Sequence, residues 1–223
     1  MSRPRADRKP PSPTARATRE RILAASLALF NAEGEPNIGT NEIADETGIS
    51  PGNLYYHFRN KAGIVEELYA RFEAEIDEIL PLPAQRMPDF EDLWLLLHLA
   101  FERMVRYRFL YRDPVDIMAR HDRVRRRFVR LLARAHASAS GLLDSLRKGG
   151  SLAATVEEAE ELVDQMLLTM TFWQGWRAVH PPPTQSAADI PASGIVRIMQ
   201  LLAPRLDAPS RIHLETLIRR YTV

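Results

Sequence analysis

Residues 40–61 read TNEIADETGISPGNLYYHFRNK, and two short helices joined by a tight turn can be read in them. Thr40 opens the first helix and Gly48 closes it. Ser50 caps the second, with Pro51 at its first position. A Ser hydroxyl there accepts a backbone N–H, and Pro gives up an N–H that has no intrahelical partner. Gly48 suits a left-handed turn that other residues resist. Ile43, Ala44, Ile49 and Leu54 form an apolar inner side, and Ala44 is small enough for a close crossing. This is the spacing of a helix-turn-helix, whose second helix lies in the DNA major groove.

Toward the N-terminus, a helical period runs over residues 19–32, with Leu23, Leu27 and Phe30 on one stripe. Thr14 or Thr18 is its expected cap and Gly34 its stop. Residues 1–13 are rich in Pro, Ser and Arg and read as a disordered basic arm. Toward the C-terminus, Ile64, Leu68, Phe72, Ile76 and Leu80 recur every four residues, which predicts one long helix from Lys61 to about Leu80, stopped by Pro81 and Pro83. Further helices are expected over 89–107, 115–120, 123–148, from Thr155 to about His180, over 194–202 and over 210–221. The expected fold is all-α, with an N-terminal three-helix helix-turn-helix domain (14–62) joined by a long helix to a larger helical domain (63–223).

The chain has 223 residues, 45% hydrophobic and 26% charged, ordinary for a soluble globular protein. It has no Cys, so disulfides and Cys-based zinc sites are excluded. No apolar run reaches the roughly 20 residues that span a bilayer, and no apolar segment follows the basic N-terminus as in a secretory signal. A cytoplasmic location without membrane contact is expected. Net charge is only +1, yet residues 1–21 carry seven basic groups, including Arg3, Arg16, Arg19 and Arg21, against Asp7 and Glu20. The reading head itself is not basic, since Glu42, Asp45 and Glu46 oppose Arg59 and Lys61.

The segments ILAASLALFNAEG, TNEIADETGIS and GNLYYHFRNKAG resemble the DNA-binding domain of the TetR family of bacterial transcriptional regulators, with Leu-Tyr-Tyr-His-Phe and Asn-Lys the most specific part. The resemblance covers about a fifth of the chain. It implies a homodimer, a small-molecule pocket in the larger domain, and release from DNA when an effector binds. FNAEGEPNIGTNEIADETGISPGNLYYHF and LWLLLHLAFERMVRYRFLYRD are also similar to TetR-type regulators found with polyhydroxyalkanoate storage genes, thought to sense a fatty-acid-derived metabolite.

Carried over by residue, the resemblance puts Pro51, Gly52, Asn53, Tyr56 and His57 on the groove side of the second helix. Asn can bond bidentately to adenine and Pro can offer apolar surface to a thymine methyl. Gly52 permits close approach. Tyr55, Lys61 and Thr40 match phosphate contacts, and Asn41 stands where some relatives carry Arg. Tyr55 and Tyr56, about 100° apart on a helix, cannot both point inward. Phe58 reads as core. The implied dimer face lies in 162–176 and 194–202, as a four-helix bundle across a two-fold axis. The effector pocket is expected among Trp94, His98, Phe101, Tyr107, Tyr111, Met118, Phe172, Trp173 and Trp176, a mostly apolar set with a few polar groups. A fatty-acyl or acyl-CoA effector would fit it, with an Arg from the 123–134 cluster meeting the anion. That cluster reads more simply as a solvated helix face paired with acidic neighbours.

No spacing matches a metal site, phosphate loop or nucleophile elbow, so neither an enzyme nor a cofactor is expected. The alternative is a helical small-molecule-binding or interaction protein without DNA binding, against which Thr40, Tyr55 and Lys61 argue.

Overall fold

The Ser-Pro device that starts the helix at residue 51 also starts one at residue 13. Ser12 accepts the backbone N–H of Ala15 and Pro13 takes the first helical position, so α1 spans Pro13–Glu33. It begins before the expected Thr14 or Thr18 cap and takes Ser12 and Pro13 out of the arm. The computed structural model describes residues 12–180 and 190–219, which fall into two compact units, one running to Leu68 and one starting at Tyr69. The rest of the expected basic arm lies outside the described residues.

In the first unit, α1 is followed by a 3-10 turn, Glu35–Asn37, then α2 (Thr40–Thr47) and α3 (Pro51–His57). Gly48 ends α2 at φ 64°, in the left-handed region that favours glycine. Ser50 accepts the Asn53 N–H to start α3. Helix α4 (Lys61–Asp77) supplies Ile64, Val65 and Leu68 to the core of this unit, beside Phe30, Ile43, Ala44 and Leu54, all fully buried. The boundary therefore falls inside α4 and not at its start, because its first two turns complete the core.

The second unit holds the rest of α4, then α5 (Phe90–Arg106), α6 (Phe109–Arg112), α7 (Pro114–Arg120), α8 (Asp122–Lys148), α9 (Val156–Val179), α10 (Ile190–Leu202) and α11 (Ala208–Arg219). α6 was not expected. Tyr107 leaves helical geometry at the end of α5, and its buried hydroxyl donates to Glu75 at 2.6 Å. Burial, helped by Glu75, pushes this phenol up to about 12. α10 begins at Ile190 and not at Gly194. Pro191 falls in its first turn, where a missing N–H costs little. α9 packs on α8 and α10, and α10 on α5.

Charge ties the second half of α4 to its neighbours. Buried Glu73 accepts from Arg127 and, at 2.8 Å, from Arg134, which also reaches Asp77 at 2.9 Å. A carboxylate removed from water needs such partners. Along α8, Ser138 donates to the Leu80 carbonyl and Ser145 to that of Pro88, so the 81–88 connection is held against that helix. Among the described residues there is no β-strand beyond one antiparallel bridge, Leu152 to Leu206, and no helix long and apolar enough to cross a membrane.

Candidate nucleic-acid interface and effector cavity

α3 buries only Leu54, with Phe58 at its C-cap 4% exposed, and turns the rest of its surface outward. Pro51, Gly52 and Asn53 are exposed, as are Tyr55 at 48% and Tyr56 at 80%. Both tyrosines therefore point away from the core. The hydroxyls of Thr40 and Tyr55 lie 3.0 Å apart, which brings two residues from different helices to one point beside the start of α2. Asn41, next to Thr40, is exposed. His57 is half-buried, edge-on to Tyr56, and burial followed by the nearby Arg19 charge lowers its pKa below the usual imidazole value. It is therefore a neutral hydrogen-bonding group at neutral pH.

Lys61 departs from its expected role as a phosphate contact. Its ammonium donates to the carbonyls of Glu35 at 2.8 Å and Ile38 at 2.9 Å and pairs with the Glu35 carboxylate at 3.1 Å. Two of its three donors are taken by carbonyls, and the carboxylate completes an ion pair. Glu35 is 1% exposed and needs that cation, so Lys61 ties the turn before α2 to the start of α4. Arg19 and Arg21, counted above with the basic N-terminus, are also committed. Arg19 donates to the His57 carbonyl, pairs with Glu67 and lies 4.1 Å over the Phe58 ring, while Arg21 donates to the Thr47 carbonyl. Nothing in the residue pattern marked Arg19 as the brace of α3. Its partners are 38 and 48 residues away.

The second unit holds an apolar cavity of about 70 Å³. Phe72 and Ile76 of α4, Leu80 just beyond its end, Leu93, Leu97, Ala100 and Met104 of α5, Phe128, Ala135 and Ala139 of α8, and Met166 and Met170 of α9 line it, with Tyr111 at one side. Burial raises the Tyr111 phenol far above its ordinary value, so it stays neutral. Beside this cavity lies an outer cleft of about 680 Å³, open to solvent, with Met118, His136, Asp164, Gln165, Leu168 and Phe172 on its walls.

The expected pocket residues thus divide. Tyr111 lines the cavity, Met118 and Phe172 line the cleft, and Phe172, Trp173 and Trp176 line a separate surface groove with Arg197 and Leu201. Trp94, His98, Phe101 and Tyr107 line none of the three. Trp94 and His98 stack on each other with ring centres 5.5 Å apart. Phe101 is core packing against Gly194, and Tyr107 serves Glu75. On α5 it is the stripe of Leu93, Leu97, Ala100 and Met104 that faces the cavity. The alanines among leucines on α5 and α8 were the missed signal, since a small side chain in an apolar stripe leaves room. Four of the 123–134 arginines pair with acids, Arg125 and Arg126 with Asp122, and Arg127 and Arg134 with Glu73.

Comparison with known proteins agrees with this anatomy. Residues 71–214 match the family model described as TetR, bacterial transcriptional repressor. Residues 22–68 match the model of its N-terminal region, bacterial regulatory proteins of the tetR family. The chain belongs to the TetR family of bacterial transcriptional regulators, DNA-binding proteins with a helix-turn-helix. A TetR-family regulator from Marinobacter aquaeolei VT8 is 31% identical, with a TM-score of 0.83 over 92% of this chain and 98% of that one. The regulator AcrR of Shigella flexneri is 34% identical over 65 residues, 29% of this chain. The chain spans about a third of the length of that curated relative, 30%. SmeT, the repressor of the Stenotrophomonas maltophilia multidrug efflux pump SmeDEF, shares the fold, with a TM-score of 0.57 at 22% identity over 87% of this chain and 93% of that one. These matches carry the family and not the narrower resemblance to polyhydroxyalkanoate-associated regulators.

Proposed function

We propose that this protein is a ligand-responsive repressor that binds a pseudo-palindromic operator as a homodimer and is released by a small apolar effector. The observation that carries the DNA half is α3: only Leu54 of it is buried, and Asn53, Tyr55 and Tyr56 stand outward beside Thr40. Asn53 and Tyr56 then read base edges, while Thr40, Tyr55 and the free N–H groups at the start of α2 hold phosphate. One short helix covers few base pairs, so two copies related by a two-fold axis are needed, which makes the operator pseudo-palindromic.

The dimer face is the outer side of α9, where Leu168, Phe172, Trp176 and Val179 are all more than 40% exposed along one stripe. Leu162, Val163 and Met166, and Ile195, Ile198 and Met199 of α10, fill the core of their own chain and leave that stripe for a partner. Effector release follows from α4. Phe72 and Ile76 line the cavity on the same helix that gives Ile64 and Leu68 to the reading unit, so a ligand that displaces the former acts on the latter. An acyl chain suits that lining.

Gel shift with the DNA upstream of the protein's own gene tests the reading. The expected result is a shifted band that survives excess random competitor and weakens as salt rises. Equal retention of upstream and random DNA would sink it and favour a helical binding protein without operator recognition.

A further inference from the structure

The inner cavity and the outer cleft share a wall. Phe128, Leu132, Leu167 and Thr171 line both. The Thr171 hydroxyl donates to the Leu167 carbonyl at 2.7 Å, so it is already engaged with its own helix. The shared wall is therefore apolar toward both spaces, and a polar head group pressed through it would lose its water without replacement. The cavity beyond it is apolar. The cleft before it carries the polar groups, beside the Leu168 and Phe172 edge that the proposed dimer face also uses: Asp164, Gln165 and His136, whose imidazole lies 3.4 Å from Asp164 and 3.5 Å from Glu160. Among the described residues no Lys or Arg lines either space. The nearest arginines in sequence, Arg127 and Arg134, are turned to Glu73 and Asp77.

We propose that the second unit takes an elongated amphiphile tail first, the chain in the inner cavity and a neutral or cationic head in the cleft beside Asp164, Gln165 and His136. This rests on the effector reading above and gives it a ligand class. It also disfavours the anionic head of a fatty acid or acyl-CoA, which would meet the Asp164 carboxylate and no Lys or Arg of the lining.

Calorimetric titration of the full-length protein with alkyl alcohols, alkyltrimethylammonium salts and alkyl carboxylates of one to ten carbons, below their micelle concentrations, tests this. The expected result is an affinity that rises about fourfold per methylene until the cavity is full. At equal length the ammonium and the alcohol bind at least tenfold tighter than the carboxylate. Asp164→Asn shrinks the gap between ammonium and carboxylate. Ala135→Phe, which fills the cavity, abolishes the dependence on chain length; should that variant not fold, Leu132→Phe at the shared wall serves the same purpose. Tighter binding of the carboxylate, affinity independent of length, or an unchanged head-group preference in Asp164→Asn would overturn the proposal. The upstream-DNA gel shift on the same preparation separates the two readings. Specific DNA binding with no alkyl ligand bound overturns this inference alone, whereas loss of specific DNA binding overturns the repressor reading and leaves the titration to decide this one.

Discussion

On the proposed reading, single side chains divide the reading head into groups that specify and groups that hold. Asn53 is exposed on α3, and a bidentate Asn–adenine pair contributes about 1–3 kcal/mol of discrimination. Asn53→Ala is expected to relax preference at one base pair in each half-site. Tyr55→Phe removes the hydroxyl that meets Thr40 and is expected to weaken all sequences alike. Competition gel shifts with single-base operator variants check both; a Tyr55→Phe protein with altered base preference would contradict the assignment. Asp92 offers a pH test. Arg86 bonds it at 2.6 Å through both oxygens and holds its carboxyl below the usual range, and Asp92 also accepts the Asp89 N–H at the start of α5. A depressed carboxylate adds stability above its unfolded pKa and loses it as the pH falls through the folded one. The difference in melting temperature between the wild type and Asp92→Asn should therefore be present at pH 7 and shrink as the pH falls below the ordinary carboxylate range and through the depressed value of Asp92.

At the scale of elements, two glycines act for different reasons. Gly48 ends α2 at φ 64°, and a Cβ there meets nothing within 4 Å. Gly48→Ala is expected to cost about 1–2 kcal/mol through the backbone alone. Gly194 on α10 sits where a Cβ would come within 2.5 Å of the Phe101 ring and 2.8 Å of Trp173. Gly194→Ala gains helix propensity, yet overpacking against the buried Phe101 outweighs it, for a net loss of about 1–3 kcal/mol. Denaturant unfolding of both variants checks the values; a stabilised Gly194→Ala protein would show that α5 and α10 can part freely. Helix positions were legible from periodicity and caps because these act within one or two turns. The exceptions had local causes too. Ser12-Pro13 repeats the Ser50-Pro51 device, and α6 forms where Tyr107 breaks the helix to reach Glu75.

For the whole molecule, the exposed α9 stripe sets the expected assembly. Phe172 and Trp176 are large aromatics left 43% and 54% exposed, and such residues are often the anchors of an interface, costing 2 kcal/mol or more when truncated. Phe172→Asp with Trp176→Asp is expected to give monomers in sedimentation at micromolar concentration and to cost operator affinity more than tenfold. A double variant that stays dimeric would place the interface elsewhere. A tight effector adds its own signature. At a hundredfold excess over its Kd it should stabilise the protein by roughly 2.7 kcal/mol.

By itself the sequence determined the all-α architecture, the helix-turn-helix with its capped α3, and the core positions Ile43, Ala44 and Leu54. Each follows from residues within a few positions of one another. Helix α4, however, ends at Asp77, ahead of the Leu80 and Pro81 limit that the sequence suggested. Only the tertiary structure decided where long side chains end. Lys61 turned from a phosphate to buried Glu35, four of the 123–134 arginines went to Glu73 and Asp122, and on α5 the leucine stripe took the cavity that the aromatic stripe had promised. Neighbouring helix positions lie about 100° apart, so a small rotation of α5 against its partners decides which stripe faces in. That rotation is set by partners such as Gly194, far along the chain.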